Sequence, residues 1–311
     1  MISPARTANE PVSEPAAEPV APTGWAVGVA QGQGAREYQQ DRYAVWADPD
    51  SDELHLVVAD GMGGAEHGEA IAEATVQAIS GALSDLAQTQ PEAAFSQVTT
   101  AIDEVSREVL ARHRTQGGTT LIACRAWANN LWFASVGDSS LYLRRDERLF
   151  ELNRRHEYRL DLWRRVLNGD LTLAESEADP QLEALASYIG CEELSIDATL
   201  TPLALQPGDT ILACSDGVSD TLSQGELRSL LGLEPKLAAD ALARRVVAAD
   251  LPHQDNYTAV VARYYPEPVD DAAAPTAPDV APAHPGPAPT KPSAQEPPTD
   301  QEPHLTERTT P

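Results

Sequence analysis

Strand-like runs in this chain come in consecutive groups, set apart by pairs of helical segments, and that order constrains the fold more than any other feature. Residues 25–33 alternate, with Trp25, Val27 and Val29 on one face, the period of a half-buried strand. Runs 42–47 and 54–59 follow, joined by the turn-rich segment 48–52. Residues 68–87 then carry Ile71, Thr75, Ala78, Ile79 and Leu83 at helical spacing, and 91–112 carry Phe95, Val98, Ile102, Val105 and Val109. Strand character returns in Thr119–Ala128, Leu131–Val136 and Leu141–Arg145, with Asn129-Asn130 placed as a two-residue hairpin loop. After an irregular stretch, 154–190, with a short helical run at Leu160–Leu167, strands are expected at 195–201 and 209–214. Helices are expected at about 223–231 and 235–250, and a last strand at Thr258–Tyr264. Ser223 with Glu226 three residues on forms a capping box for the first of those helices. Strict βαβ alternation is missing, which argues against a doubly wound parallel sheet. The pattern predicts an α+β fold of mostly antiparallel sheets with helices outside them.

Proline marks where that fold stops. Residues 1–24 hold 5 of the 25 prolines and 266–311 hold 13. These flanks have almost no large apolar side chains, so burial cannot offset the entropy of ordering them. The expected organisation is a disordered flank 1–24, one globular unit 25–265 with 154–190 as an inserted lobe, and a disordered Pro-rich acidic tail 266–311. A scaffold role for the tail, through segments such as 282–287, is the weaker reading beside a solubilising one.

The chain's net charge is −26. With no basic patch to compensate, nucleic acid and anionic membranes are disfavoured as partners, and with them a nuclease reading. No apolar run approaches the ~20 residues of a membrane span. The N-terminus lacks a charged-then-apolar signal pattern. Three cysteines without Cys-x-x-Cys spacing fit a reducing cytoplasm, with Cys124 and Cys214 as small buried hydrophobes. A cytoplasmic monomer is the expectation.

Within this acidic core, carboxylates stand at the ends of apolar runs. Asp60 follows Leu56-Val57-Val58-Ala59 and precedes Gly61, and Asp216 follows Ile211–Ser215 and precedes Gly217. Asp255 stands with Asn256 just before the last strand, and Asp41 opens the run 42–46. Carboxylates so placed repel unless cations sit between them, and hard oxygen ligands suit Mg²⁺ or Mn²⁺. Two such metals sharing a carboxylate can hold an activated hydroxide and clamp an in-line displacement at phosphorus. Gly61 lets its carbonyl approach a metal closely, and Arg36 offers a planar fork to a phosphate. Singly, an Asp-Gly pair reads as a turn, and so does Asp138 in Val136-Gly137-Asp138-Ser139.

Six ordered segments together resemble the PPM (PP2C-type) metal-dependent protein phosphatases, particularly bacterial ones. They are Arg36–Asp41, Val58–Gly64, Gly118-Thr119-Thr120, Val136–Ser139, Cys214–Gly217 and Asp255–Thr258. The resemblance spans essentially all of 25–265. It implies a central β-sandwich flanked by helix pairs, with 154–190 as a flap beside the active site. It implies hydrolysis of protein phosphoserine and phosphothreonine esters, with phosphoproteins made by a cellular kinase as substrates and a pseudophosphatase that only binds phosphoproteins as the alternative. Carried onto this chain, it makes Asp60 the ligand shared by two Mn²⁺ or Mg²⁺ ions, with the Gly61 carbonyl, Asp216 and Asp255 completing the set. Asp41 would hold waters, Arg36 would grip the substrate phosphate, and Asp138 and Asn256 would orient them. Gly118-Thr119-Thr120 would pack the strand beneath the site. The chain departs from the family at Gln39, where Asn is usual, at Gln40, where a carboxylate is frequent, and at Ala65, where bacterial members often place His; His67 is then the candidate proton donor, against the reading of a surface bystander. His113 and Arg114 stand where many relatives have an aspartate, so a third metal is not expected. Arg155-His156-Glu157 replaces an Asp-His-Ser-like run, with Glu157 and Asp161 read as helix-start charges.

Overall fold

The computed structural model describes residues 24–47, 52–63, 67–86, 91–114, 116–182 and 184–266, except for the side chains of 91–94. Apart from Gly24 and Pro266, the two flanks lie outside these residues, as does Ala65. Chain order is β1 (Gly24–Gly32), β2 (Asp41–Ala47), β3 (Leu54–Gly63), α1 (His67–Asp85), α2 (Pro91–His113), β4 (Gly117–Thr119), β5 (Leu121–Trp127), β6 (Asn130–Val136), β7 (Ser140–Arg145) and β8 (Arg148–Glu151). Then come α3 (Tyr158–Asn168), α4 (Leu173–Glu177), β9 (Asp197–Ala198), β10 (Leu203–Ala204), β11 (Thr210–Cys214), α5 (Asp216–Ser219), α6 (Gln224–Leu230), α7 (Pro235–Ala248) and β12 (Tyr257–Tyr265).

Two antiparallel sheets result. One runs β1-β12-β11-β7-β8; the other runs β10-β6-β5-β3-β2, with β4 also on β3 and β9 also on β6. Period-two alternation decides what each face meets. Leu54, Leu56 and Val58 of β3 turn inward with Ile122 and Cys124, meeting Leu141, Ile211, Ala213, Val260 and Ala262 of the other sheet. The intervening Val57 and Ala59 face α1 and α2, packing on Ile71, Ile79, Val98 and Ile102. On the far side, Leu212, Cys214, Ala259 and Val261 pack against Val218, Leu227, Ala238 and Leu242 of α5–α7. The result is the helix–sheet–sheet–helix sandwich that the sequence predicts. Each fully buried Leu or Val removed from water contributes roughly 1.5–3 kcal/mol.

Local expectations need four corrections. The β5–β6 hairpin loop is Ala128-Asn129, not Asn129-Asn130, because Trp127 pairs with Asn130. Both loop residues adopt positive φ (46° and 56°), as a type I′ turn requires. The expected strand 119–128 breaks at Thr120, whose backbone and side chain turn to Asp60 instead of the ladder. The expected strand 195–201 shrinks to the two residues of β9, since only Asp197 and Ala198 pair in register with β6 and Thr199 turns its side chain onto Phe133. Finally β8 and β10, both short edge strands, carry too few apolar residues to stand out in sequence.

Between β8 and β9, α3 and α4 stand outside both sheets. A Thr172–Glu175 capping box starts α4, and Gly169 ends α3 at φ 81°. Isolated bridges tie Glu157 to Leu185 and Thr119 to Ile189. Among the described residues no helix is long and apolar enough to cross a membrane.

Candidate active site

Strand pairing brings the carboxylates together at one end of the sandwich. Asp41 and Asp60 are direct cross-strand partners on β2 and β3, an arrangement that costs stability for like charges. From the other sheet, Asp216 follows β11 and Asp255 precedes β12, which are antiparallel neighbours. Asp138 lies in the turn that crosses from β6 in one sheet to β7 in the other.

Asp41 is fully buried. Its Oδ2 accepts hydrogen bonds from Ser215 Oγ and Thr258 Oγ1, both at 2.8 Å, while its Oδ1 has no partner in the protein. Asp60 is held by its backbone: Thr119 Oγ1 donates to its carbonyl at 2.8 Å, the Thr120 amide donates to the same oxygen at 2.9 Å, and its own amide donates to Thr120 Oγ1 at 3.0 Å. Gly118-Thr119-Thr120 thus clamps the residue at the centre of the site, a more specific task than packing. Asp216 Oδ1 is the second buried carboxylate oxygen without a partner. Asp216 and Asp255 line a cleft of about 200 Å³ together with Asp220 and His253.

These carboxylates resist ionisation together. Burial, then the charges of Asp41, Asp216, Asp138 and Asp255, hold Asp60 well above the ordinary carboxylate range. Burial raises Asp41 despite its two hydroxyl donors. Burial followed by Asp138 and Asp255 pushes Asp216 up to about 7. Asp138 rises to about 6, again through burial, with the Arg155 guanidinium opposing. Buried carboxylates of one sign, two with orphaned oxygens, need positive charge among them. The residues fit hard divalent cations: all donors are oxygen, and they come from both sheets. Among the described residues no three metal-ligating side chains form an already closed cage.

Arg36 lies at the rim. Its Nη2 bonds Asp255 Oδ2 at 2.5 Å, with more than half of its side chain exposed (56%). Asn256 has two attachments: its Nδ2 donates to the Gln33 and Tyr38 carbonyls at 2.8 and 2.9 Å while its Oδ1 accepts from the Gln40 amide, and its backbone amide donates to Asp255 Oδ1 at 2.8 Å. It therefore fixes the loop that carries Arg36. Gln39, replacing the usual Asn, accepts from the Asp41 amide and donates to the Gly32 carbonyl. Gly61 is required by packing, since an added Cβ would lie 2.3 Å from the Gly68 carbonyl oxygen. His67 sits edge-to-face on His113, ring centroids 5.6 Å apart, and among the described residues no hydrogen bond links it to the carboxylates. Sequence reading missed Ser215 and Thr258. Their signal was a hydroxyl inside or beside an apolar run, which marks a buried acceptor nearby.

Comparison with known proteins places this geometry. The family model described as protein phosphatase 2C matches residues 32–249. The serine/threonine phosphatase stp of Listeria monocytogenes is 27% identical over 233 residues, which are 73% of this chain and 90% of that protein. The serine/threonine protein phosphatase PstP of Mycobacterium tuberculosis is 30% identical over 213 residues, 67% of this chain and 40% of that longer protein. The crystal structure of the PstP catalytic domain in complex with two manganese ions superposes with a TM-score of 0.58 at 26% identity, covering 77% of this chain and 97% of that one.

Proposed function

Because the chain belongs to the protein phosphatase 2C family, it is a metal-dependent protein serine/threonine phosphatase, and we propose how its own residues divide that work. Asp60 would be shared by two Mn²⁺ or Mg²⁺ ions, with the Gly61 carbonyl, Asp216 and Asp255 as the remaining protein ligands. When bound, such a pair supplies Lewis-acid polarisation of the phosphoryl group and a nucleophile at neutral pH. The observation that carries the assignment is the buried, mutually repelling set Asp41, Asp60, Asp138 and Asp216, with unpartnered oxygens on Asp41 and Asp216.

Asp41 has one oxygen spent on Ser215 and Thr258, so its other oxygen is left to accept from water or hold a proton at a fixed position. Asp138 orients from the inter-sheet turn, its charge tempered by Arg155. Arg36, exposed and paired with a single carboxylate oxygen, can leave Asp255 for the bidentate grip that a phosphate offers. Asn256 keeps the Arg36 loop in register. Substrates are phosphoserine and phosphothreonine proteins, which we expect a kinase of the same cell to produce. The acidic surface supports a protein rather than a nucleic acid as substrate. Free Cys124, Cys191 and Cys214 support a reducing, cytoplasmic setting, and we expect a monomer there.

Hydrolysis of a phosphothreonine peptide with Mn²⁺ or Mg²⁺, and its loss on chelation, tests the reading. A robust rate untouched by chelator would overturn it. Binding of phosphopeptide without turnover under any metal would establish the pseudophosphatase alternative, which no feature of the site favours.

A further inference from the structure

The chain is strongly acidic, yet residues 154–165 contain five arginines: Arg154, Arg155, Arg159, Arg164 and Arg165. They stand where β8 leads into α3, at the root of the flap lobe. Beside them lies a cleft of about 400 Å³, separate from the cleft of Asp216 and Asp255. Its lining includes Arg154, Arg155, His156 and Arg164, with the carboxylates Glu157, Asp161 and Glu193. Two of the three guanidiniums that line it are already engaged. Arg155 reaches Asp220 at 2.8 Å and Ser219 Oγ at 2.5 Å, and Arg164 reaches Asp161 at 2.5 Å. Arg154 makes no side-chain hydrogen bond among the described residues.

His156 is the group that asks for a ligand. It is 5% exposed, and its Nδ1 accepts the Gly137 amide at 3.0 Å. In the neutral ring that bond puts the proton on Nε2. Nε2 has no partner in the protein. A buried N–H donor left unpaired goes uncompensated for the water it has lost, and His156 lines a cleft that also displays an unengaged guanidinium. The chemistry that satisfies both is an oxyanion.

The same ring is wired to the active site. The His156 amide donates to the Gly137 carbonyl at 2.8 Å, so the two residues are doubly bonded to each other. Gly137 sits at φ 95°, and a Cβ there would meet Thr120 at 2.7 Å. The next residue is Asp138. Thr120 is itself hydrogen-bonded to the Asp60 amide.

We propose that the cleft at the flap root is a second oxyanion-binding site, taking a carboxylate or phosphate group between His156 Nε2–H and Arg154, and that its occupancy reaches Asp138 through Gly137. The group arrives either on a small free anion or on an acidic side chain of the substrate protein. The binding half stands without the phosphatase assignment; the coupling half rests on it.

The test uses the full chain with Mg²⁺, labelled with ¹⁵N-histidine, and sulfate as probe, exchanged for chloride at constant ionic strength. Sulfate should shift the His156 Nε2–H signal saturably, do so equally in Arg36→Ala, and bind about tenfold or more weakly in Arg154→Gln. With p-nitrophenyl phosphate, sulfate should change kcat in the parent protein and only raise KM in Arg154→Gln. An unmoved ring signal, or a shift lost in Arg36→Ala but kept in Arg154→Gln, would overturn the site, because the anion would then be held by the phosphate grip alone. A saturable ring shift with no change in kcat would leave binding intact and overturn the coupling. Phosphothreonine peptides with Glu or Gln beside the phosphoresidue separate the sources. A Glu preference that sulfate abolishes assigns the group to the substrate, and equal KM values assign it to a free anion. The ring signal needs no turnover, so failure of this proposal and failure of the phosphatase reading are distinguishable.

Discussion

Replacing Asp216 by Asn should stabilise the metal-free protein while disabling the enzyme. The folded state pushes this carboxyl from 3.8 up to about 7, through burial and then the charges of Asp138 and Asp255. A raised carboxyl pKa means that the folded chain binds more protons than the unfolded one between those values. Stability therefore falls as pH rises through that window, and the full penalty is present above about pH 7. At about 1.36 kcal/mol per pH unit, the ceiling is about 4 kcal/mol. The residue keeps a partial opening to solvent, so about 2–4 kcal/mol is the working range. Asn preserves the shape and removes the charge. For a domain of this size, 1 kcal/mol shifts Tm by roughly 2–4 °C. Chelator-treated Asp216→Asn should thus melt roughly 5–10 °C above the parent at pH 8, with the gain shrinking toward zero near pH 4. With Mn²⁺ the difference should reverse, because the parent alone gains ligand stabilisation, and turnover should fall by roughly 100-fold or more. Thermal melts at pH 4, 6 and 8, with and without chelator, read all of this. A gain independent of pH, or a loss of stability at pH 8, would refute the electrostatic account.

Thr258→Val removes one of two donors to buried Asp41. It should cost about 1.5–3 kcal/mol by denaturant titration and lower kcat by roughly tenfold. Gly217→Ala would put a Cβ 2.0 Å from the Asn256 carbonyl oxygen, so a loss of about 3 kcal/mol or more is expected in thermal melts. His67→Ala should leave the pH–rate profile unchanged, since the ring packs on His113; a lost alkaline limb would make it the proton donor.

The fold was legible because each layer leaves a period. Alternate residues of β3 face two different apolar environments, so the run 54–59 reads as continuously apolar, and α1 and α2 show their buried stripe at helical spacing. The carboxylates were legible because a charge at the end of such a run contradicts its surroundings. What sequence could not show is who partners whom across the chain. Ser215 and Thr258 meet Asp41 from 174 and 217 residues away. Asn256 reads as a support for the carboxylates; its side chain braces the Arg36 loop, while its backbone amide donates to Asp255. Both facts arise from β11 and β12 lying side by side in the sheet opposite β2, a matter of topology. The hairpin loop was misplaced by one residue because Asn tolerates positive φ far better than Ala, yet pairing of Trp127 with Asn130 puts Ala128 there.

That division of the site between two sheets has a consequence for metal binding. Asp41 and Asp60 ride on one sheet, and Asp216 and Asp255 flank strands of the other. The inter-sheet core, with Val58 and Ile122 against Ile211 and Val260, and the Ser215 and Thr258 hydrogen bonds to Asp41 fix their separation. Val260→Ala opens that core. Leu242→Ala opens the outer layer between α7 and its sheet. The two cost about 2 and about 3 kcal/mol respectively, by loss of buried methyl groups. If the sheets position the metal ligands, Val260→Ala should weaken Mn²⁺ binding by roughly tenfold, a ligand misplacement of the kind that outer supports prevent. Leu242→Ala, though the more destabilising change, should leave Mn²⁺ affinity within about twofold of the parent, because both members of each carboxylate pair stay on their own sheet. Calorimetric Mn²⁺ titration at a temperature where both variants are folded separates the effects. Equal losses of affinity would mean that metal binding follows overall stability and not the spacing of the two sheets.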